Sequence, residues 1–266
     1  MTSRLVFLKL GGSLITDKDR PHTPRLEVLQ RLAGEIASAL AQDQDLRILL
    51  GHGSGSFGHV PASKYLTRLG VRSASQWSGF IEVWREAAEL NHIVLQALEQ
   101  ASLPAMAFPP SSMVLARQGA VEKWELEPLL QALEHNLLPV VNGDVVFDAV
   151  LGGTILSTED LFAHLAGILR PASLLLAGNE PGVWADFPTR ASLLPEITPQ
   201  SFTQVEPKVS GSESTDVTGG MVVKVRQMIS LVQANPGLRI SIFSGEVTGN
   251  IRRALLGESL GTLIHA

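Results

Sequence analysis

The sequence contains no cysteine, and this absence excludes several kinds of site. Without cysteine there can be no disulfide framework, no thiolate metal centre and no cysteine nucleophile. Disulfides are typical of oxidising compartments, so their absence fits a reducing one. We therefore expect a cytoplasmic protein.

An excess of positive charge is also missing. Lysine and arginine number 21 against 26 aspartate and glutamate residues, which gives a formal net charge of −5. General nucleic-acid binders usually carry a basic excess, so we expect no nucleic-acid partner. Phosphate ligands remain compatible with this composition, because they need only a few lysines in the right place.

Long apolar runs are absent near the start of the chain. The run at 5–10 is interrupted by Lys9 and is followed at once by Gly11 and Gly12. It is too short to cross a membrane and lacks the cleavage region of a signal peptide. We expect a soluble protein with no membrane partner. The 266 residues, 45% hydrophobic and 18% charged, suffice for one large α/β domain.

Apolar runs of strand length alternate with helical patterns along most of the chain. This alternation predicts an open, mainly parallel β-sheet sandwiched between helices, a three-layer αβα arrangement. The predicted strands lie at 5–10, 46–50, 137–141, 173–177 and 238–243, and the predicted helices at 24–41, 75–100, 125–135, 158–169 and 221–234. Residues 142–156 predict a β-hairpin. The proline-rich stretch 184–216 predicts a surface excursion with short strands, which we interpret as a candidate mobile cover.

Two glycine-rich segments follow predicted strands. The first begins at Lys9 and runs through Gly11, Gly12 and Ser13, and consecutive glycines allow backbone amides to approach phosphate oxygens. The second, at 51–59, contains a literal G-x-G-x-x-G. A dinucleotide site would need a second strand ending in an acid about twenty residues further on, which is missing here. The partner motifs of protein kinases and the Walker A loop are missing too.

Two histidines, His52 and His59, lie within the second segment. A lone histidine is more often structural than catalytic. His59 closes the segment, in a place where its ring can donate to an anionic oxygen, and this position favours a functional role. His52 lacks that argument, and we interpret it as structural.

A third glycine pair, Gly219 and Gly220, precedes the predicted helix that carries Lys224. Asp216 or Thr218 could simply cap this helix. The functional interpretation adds that a helix N-terminus with paired glycines can bind an anion, with a lysine one turn further on. Both interpretations stand at this point.

Taken in order, these segments resemble the amino acid kinase superfamily, and within it the isopentenyl phosphate kinases. The matching segments are Lys9-x-Gly-Gly-Ser, 52–59 and 216–221 with Lys224, and the likeness extends over essentially the whole chain. Leu14-Ile15-Thr16-Asp17-Lys18 together with Ser-Phe-Gly-His59 is the specific part. The resemblance implies one amino acid kinase domain over 1–266, with an acceptor-binding lobe at about 1–170 and a nucleotide-binding lobe at about 171–266.

The resemblance also implies roles for individual residues. Lys9 and Lys224 would neutralise the transferring phosphoryl group, Lys18 would reach the ATP phosphates, His59 would hold the acceptor phosphate, and Asp160 would orient the two lysines. The implied ATP-binding set is Lys9, Gly11, Gly12, Ser13, Ser54, Asn179, Gly182, Gly219, Gly220 and Lys224, and the implied acceptor-binding set is Gly53, Gly55, His59 and Gly153. ATP and Mg²⁺ are the implied cofactors, with no protein ligands assigned to the metal, and a homodimer is the implied assembly.

Some positions depart from the family pattern. Ser54 replaces a glycine, and Asn179-Glu180-Pro181 replaces the more usual Asp-Val-Asp. Ser157-Thr158-Glu159-Asp160 replaces Ser-Gly-Asp-Asp, so Glu159 could share or replace the role of Asp160.

The implied reaction is phosphorylation of isopentenyl phosphate by ATP. Such a reaction depends on positioning and charge neutralisation more than on a strong base. Three alternatives remain open from sequence: a fosfomycin-type phosphonate kinase, an amino acid or nucleotide kinase of the same fold, and a non-catalytic nucleotide-sensing module.

Overall fold

A computed structural model of the protein describes residues 4–209 and 220–266. Its strands are β1 (Arg4–Leu10), β2 (Leu46–His52), β3 (Ala105–Ala107), β4 (Val114–Arg117), β5 (Ala120–Trp124), β6 (Leu138–Asn142), β7 (Asp144–Asp148), β8 (Gly152–Leu156), β9 (Ser173–Gly178), β10 (Val183–Trp184), β11 (Leu193–Leu194), β12 (Glu196–Ile197), β13 (Arg239–Ser244) and β14 (Thr262–Ile264). Its helices are α1 (Gly12–Ile15), α2 (Leu26–Gln42), α3 (Gly55–Tyr65), α4 (Ala74–Gln100), α5 (Pro110–Met113), α6 (Glu127–Glu134), α7 (Thr158–Leu169), α8 (Pro199–Val209), α9 (Gly220–Ala234) and α10 (Asn250–Leu255).

The main sheet has the strand order β12-β14-β13-β9-β1-β2-β6-β3. All five predicted strands lie in it, and its pairs are parallel except for β13 with β14. The predicted fold class is therefore confirmed. Strands from both halves of the chain share this one sheet, because β9 pairs with β1.

Both faces of the main sheet are covered by apolar side chains. Along β1, Val6, Leu8 and Leu10 belong to one buried cluster with α2, α4 and α10, whereas Phe7 belongs to a second cluster with α7 and α9. Successive strand residues point to opposite faces, so one strand supplies both cores. This two-sided burial explains why the parallel strands form continuous apolar runs in the sequence.

The predicted helices are found with small shifts at their ends. The helix expected at 24–41 begins at Leu26 because Pro24 forms a bridge with Thr16. The helix expected at 125–135 spans Glu127–Glu134, with a proline in its first turn, where proline is favoured. A capping box of Ser73 with Gln76 fixes the start of α4.

A second, smaller sheet has the strand order β5-β4-β7-β8. The hairpin predicted at 142–156 is the antiparallel pair β7 and β8, whereas β4 and β5 were not predicted. Val145 on β7 packs against Phe80 and Val83 on α4.

In the predicted excursion at 184–216, β10, β11 and β12 are the expected short strands, but helix α8 was not expected. Residues 210–216 of that excursion lie outside the described residues, and its role as a cover stays a prediction.

The carboxyl ends of five neighbouring strands lie at one edge of the main sheet. Leu10 pairs with His52 and with Ala177, His52 pairs with Asn142, and Ser244 pairs with Gly178. Ligand sites of open parallel sheets form at such edges, in the loops that follow the strands. Among the residues described, we find no helix with the length and apolar character needed to cross a membrane.

Candidate active site

The first two glycine segments pack against each other at this edge. A β-carbon at Gly12 would overlap the backbone nitrogen of Gly55, and one at Gly53 would lie 3.0 Å from the nitrogen of Gly12. Gly55 also has a φ of +53°, in the left-handed region, and a β-carbon there would overlap the Thr16 hydroxyl. These glycines are required for the close approach of two backbones. In α1 the amides of Leu14 and Ile15 donate to the Gly11 carbonyl at 2.9 and 3.3 Å, which leaves the amides of Gly12 and Ser13 at this junction without an acceptor in the helix.

The second glycine segment differs from the loop that the sequence predicted. Helix α3 begins at Gly55, so residues 55–59 form a helical turn and His59 lies on that helix. The amide of Ser56 donates to the Thr16 hydroxyl at 2.9 Å, which joins α3 to the end of α1. The His59 Nδ1 lies 3.4 Å from the Ser54 hydroxyl oxygen. His59 therefore has a fixed backbone position at the start of the second turn of α3.

Lys9, Glu159 and Lys224 come together although they are distant in sequence. Lys9 is the last residue but one of β1, Glu159 lies in the first turn of α7, and Lys224 lies in the second turn of α9. The Lys9 ammonium forms an ion pair with one Glu159 carboxylate oxygen, and the Lys224 Nζ lies 3.8 Å from the other. Two ammonium groups that would repel each other are thus held on one carboxylate.

The electrostatics of this cluster keep Glu159 ionised. Burial alone raises the pKa of Glu159, but the charges of Lys9 and Lys224 outweigh it and lower the pKa to about 2. At neutral pH the three side chains carry one surplus positive charge. A site with this surplus suits a phosphoryl group.

Asp160 does not occupy the place that the sequence analysis gave it. Its carboxylate accepts from the Ser157 amide and hydroxyl, from Arg68 Nη2 at 3.0 Å and from Gln227 Nε2 at 3.0 Å. The residue that contacts both lysines is Glu159. Ser157 and Asp160 form a capping box, in which the third helical residue turns back to the cap. The Ser-x-x-Asp spacing was visible in the sequence and could have assigned Asp160 to this structural task.

Other predicted residues lie around the same edge. Lys18 is exposed in the segment between α1 and α2. Gly11 donates its amide to the Ala177 carbonyl at 2.8 Å, which links the first glycine segment to β9. Asn179 follows β9, where its carbonyl accepts from the Ser244 hydroxyl at 3.2 Å. Ser13 lies within α1.

Three further glycines predicted as binding residues are distinguished by their packing or their place in a helix. A β-carbon at Gly182 would lie 2.6 Å from the Thr262 hydroxyl, and one at Gly153 would lie 2.8 Å from the Phe80 ring. Gly220 begins α9, with a φ of +72°. Gly219 lies outside the described residues. The binding roles of these four glycines stay predictions.

His52 is structural, as we predicted from the sequence. Its ring is buried, with Nε2 3.0 Å from the Asn91 side-chain oxygen and Nδ1 3.1 Å from the Gly53 carbonyl oxygen. Burial lowers the pKa of His52, so the ring is neutral at physiological pH.

A cavity of about 320 Å³ opens beside the lysine pair. Its lining includes Arg68, Glu159, Asp160, Gly220 and Lys224. In the part of the chain that the structure describes, no group of three or more His, Asp or Glu side chains could hold a metal ion. Mg²⁺ is commonly bound through substrate phosphates with few protein ligands.

Comparison with known proteins identifies the family. A model of the amino acid kinase family matches residues 4–244. The chain belongs to the amino acid kinase family. It is accordingly a kinase.

Within the amino acid kinase family, several relatives at 34–35% identity over nearly the full chain are isopentenyl phosphate kinases. The isopentenyl phosphate kinase of Methanocaldococcus jannaschii is 34% identical over 266 residues, covering 98% of both chains. That of Methanothermobacter thermautotrophicus is 35% identical, again covering 98% of both. A crystal structure of isopentenyl phosphate kinase superposes with a TM-score of 0.82 at 30% identity, covering 98% of this chain and 99% of that one. The resemblance stated from the sequence is confirmed.

The glycine junction of this kinase can be tested by stability measurements. We expect Gly12→Ala to lower the free energy of unfolding by roughly 1–3 kcal/mol, because the new methyl group meets backbone that cannot move aside easily. Gly34→Ala on α2 is the matched control, since no atom lies within 4 Å of its β-carbon position. There we expect a gain of about 0.5–1 kcal/mol. Urea denaturation measures the free energy of unfolding of both variants, and an equal change in the two would contradict the packing argument.

Proposed function

We propose that this kinase transfers the γ-phosphoryl group of ATP to isopentenyl phosphate, giving isopentenyl diphosphate and ADP. The observation that carries the proposal is the near full-length similarity to several isopentenyl phosphate kinases. The cluster of Lys9, Glu159 and Lys224 supports it, because this reaction brings two polyanions together.

In the proposed reaction, a phosphate oxygen of the acceptor attacks the γ-phosphorus and the bond to the bridging oxygen of ADP breaks. Lys9 and Lys224 would offset the charge of the transferring group, with Glu159 fixing their positions. Lys18 would contact the ATP phosphates, and His59 would donate to the acceptor phosphate. The acceptor is already a nucleophile, so no strong general base is needed.

The nucleotide would bind on the β9 and β13 side of the sheet edge, and the acceptor on the β2 and β6 side. Asn179 and Ser244 lie on the nucleotide side, and His59 follows β2 on the acceptor side.

We further propose that Mg²⁺ accompanies ATP, that the enzyme is cytoplasmic and that it forms a homodimer. Chelation with EDTA tests the requirement for Mg²⁺, and light scattering tests the homodimer.

The deciding experiment is ADP release measured with Mg-ATP and a panel of acceptors. The panel contains isopentenyl phosphate, dimethylallyl phosphate, fosfomycin, acetylglutamate and UMP. We expect the highest kcat/KM with isopentenyl phosphate. A preference for fosfomycin would assign the phosphonate-kinase activity instead, and no turnover of any acceptor would favour a nucleotide-sensing module.

A further inference from the structure

The segment 17–23, which carries Lys18, forms a closed loop on the surface. The Asp17 amide donates to the Thr23 carbonyl at 2.9 Å, and Thr16 forms a bridge with Pro24 at the base of the loop. Residues 18–22 are exposed. A loop that is joined to the body of the protein only at its base would leave Lys18 poorly positioned, because ordering a long side chain has a high entropic cost.

His22, which directly precedes Thr23 at the base of this loop, attaches the C-terminal side of the loop to the helices on the proposed acceptor side. Its amide donates to the Ser56 carbonyl at 3.3 Å, and its ring meets the buried Phe57 ring edge-on, with centroids 5.2 Å apart. Its Nε2 lies 3.2 Å from Glu86 Oε1, and its Nδ1 lies 3.9 Å from Glu89 Oε2. The contacts therefore reach both α3 and α4.

Glu86 is an unusual residue to find in this contact. Its side chain is only 13% exposed, against 45% for His22, and its Oε2 is buried with no hydrogen-bond partner among the described residues. Burial raises the pKa of Glu86, and the neighbouring Glu82 and Glu89 add to this effect, whereas His22 opposes it. The His22 ring is thus the group that stabilises a carboxylate in an unfavourable position.

The turn of α3 that receives the loop also carries His59, three residues after Ser56. We propose that His22 and Glu86 form a latch that holds the 17–23 loop against α3 and α4, and so positions Lys18 for phosphoryl transfer. This role rests on the proposed function, because it needs Lys18 to contact the phosphates. His22 and Glu86 are positioning residues, and neither is assigned a contact with substrate.

Limited trypsin digestion measures docking of the loop without any substrate. Trypsin cuts after Lys18, whereas Arg20 precedes Pro21 and resists cleavage. For His22→Ala and for Glu86→Gln we expect the initial rate of cleavage after Lys18 to rise about tenfold, the effect of losing one charge-assisted hydrogen bond. Glu99→Gln, an exposed change on the same helix, is the control and should match the wild type.

Kinetics of the same variants test the consequence for catalysis. We expect kcat to fall about tenfold in His22→Ala and Glu86→Gln while both KM values change less than about twofold, because positioning acts on the transition state. His22→Gln keeps a nitrogen donor and should recover most of the activity. Cleavage after Lys18 that stays at the wild-type rate in both variants would overturn the latch, as would faster cleavage with unchanged kcat.

The two proposals fail in different ways. If the wild-type enzyme prefers another acceptor, the proposed substrate is wrong, and kcat is then measured with the preferred acceptor. Cleavage after Lys18 still decides whether His22 and Glu86 hold the loop. His22 is exposed enough that its replacement should leave the fold intact even if Glu86→Gln does not.

Discussion

Replacing Lys9 with methionine is expected to lower kcat by roughly 10²–10³, the usual effect of losing one preorganised group that stabilises transition-state charge. The change also removes one of two partners of a buried carboxylate. The side chains of Lys9 and Glu159 are 11% and 9% exposed. Breaking a buried ion pair costs roughly 3–5 kcal/mol, and we expect the lower end because Lys224 remains. ADP release and urea denaturation measure the two effects.

A double variant separates the catalytic effect from the stability effect. Adding Glu159→Gln to Lys9→Met removes the uncompensated charge, so most of the lost stability should return while kcat stays low. Lys123→Met, an exposed change on β5, is the matched control and should resemble the wild type in both assays. If the double variant regained activity together with stability, Lys9 would have only a structural role.

The sequence predicted five of the eight strands of the main sheet, because each of the five combines a mainly apolar run with a glycine within the next two residues. Residues 5–10 and 173–177 are examples, and both form strands whose carboxyl ends meet at the site. The strands β4 and β5 were missed because their burial alternates weakly and because only β4, by pairing with β7, joins them to the rest of the smaller sheet. Such pairing involves residues distant in sequence, and local patterns do not record it.

The same limit applies to the site. Lys9 and Lys224 were predicted from their neighbouring glycines, whereas the acid between them was assigned to Asp160 with Glu159 left open as the alternative, and the structure places Glu159 there. Glu159 and Asp160 are adjacent acids in the first turn of α7, and a helix directs adjacent side chains about 100° apart. The capping box turns Asp160 back toward Ser157, which leaves Glu159 to face the lysines. The start of α3 was missed because a glycine with positive φ begins it.

The contact of His22 with Glu86 was not predicted by any motif. It joins a loop to a helix more than sixty positions away in the sequence, and neither residue belongs to a recognisable spacing. What marks this contact in the structure is a buried carboxylate, poorly solvated, beside a histidine ring. Only the tertiary structure brings these groups together.

His59→Ala is expected to lower kcat/KM for isopentenyl phosphate by about 10², because a donor to the acceptor phosphate is lost. The KM for ATP should change less than about twofold, since the nucleotide would bind on the opposite side of β1. The ring is only half-buried, on the second turn of α3, so we expect only a small loss of stability. ADP release at varied concentrations of each substrate measures the two constants separately.

His135→Ala is the matched control for this experiment. His135 is exposed at the end of α6 and precedes the amino end of β6, so it lies at the edge of the sheet opposite the site. It should leave both constants unchanged. A parallel rise in the KM for ATP in His59→Ala would instead place His59 with the nucleotide, and an unchanged kcat/KM for the acceptor would remove it from the site. Because α3 fixes the backbone of His59, either result would reassign its side chain and leave the sheet edge as the site of transfer.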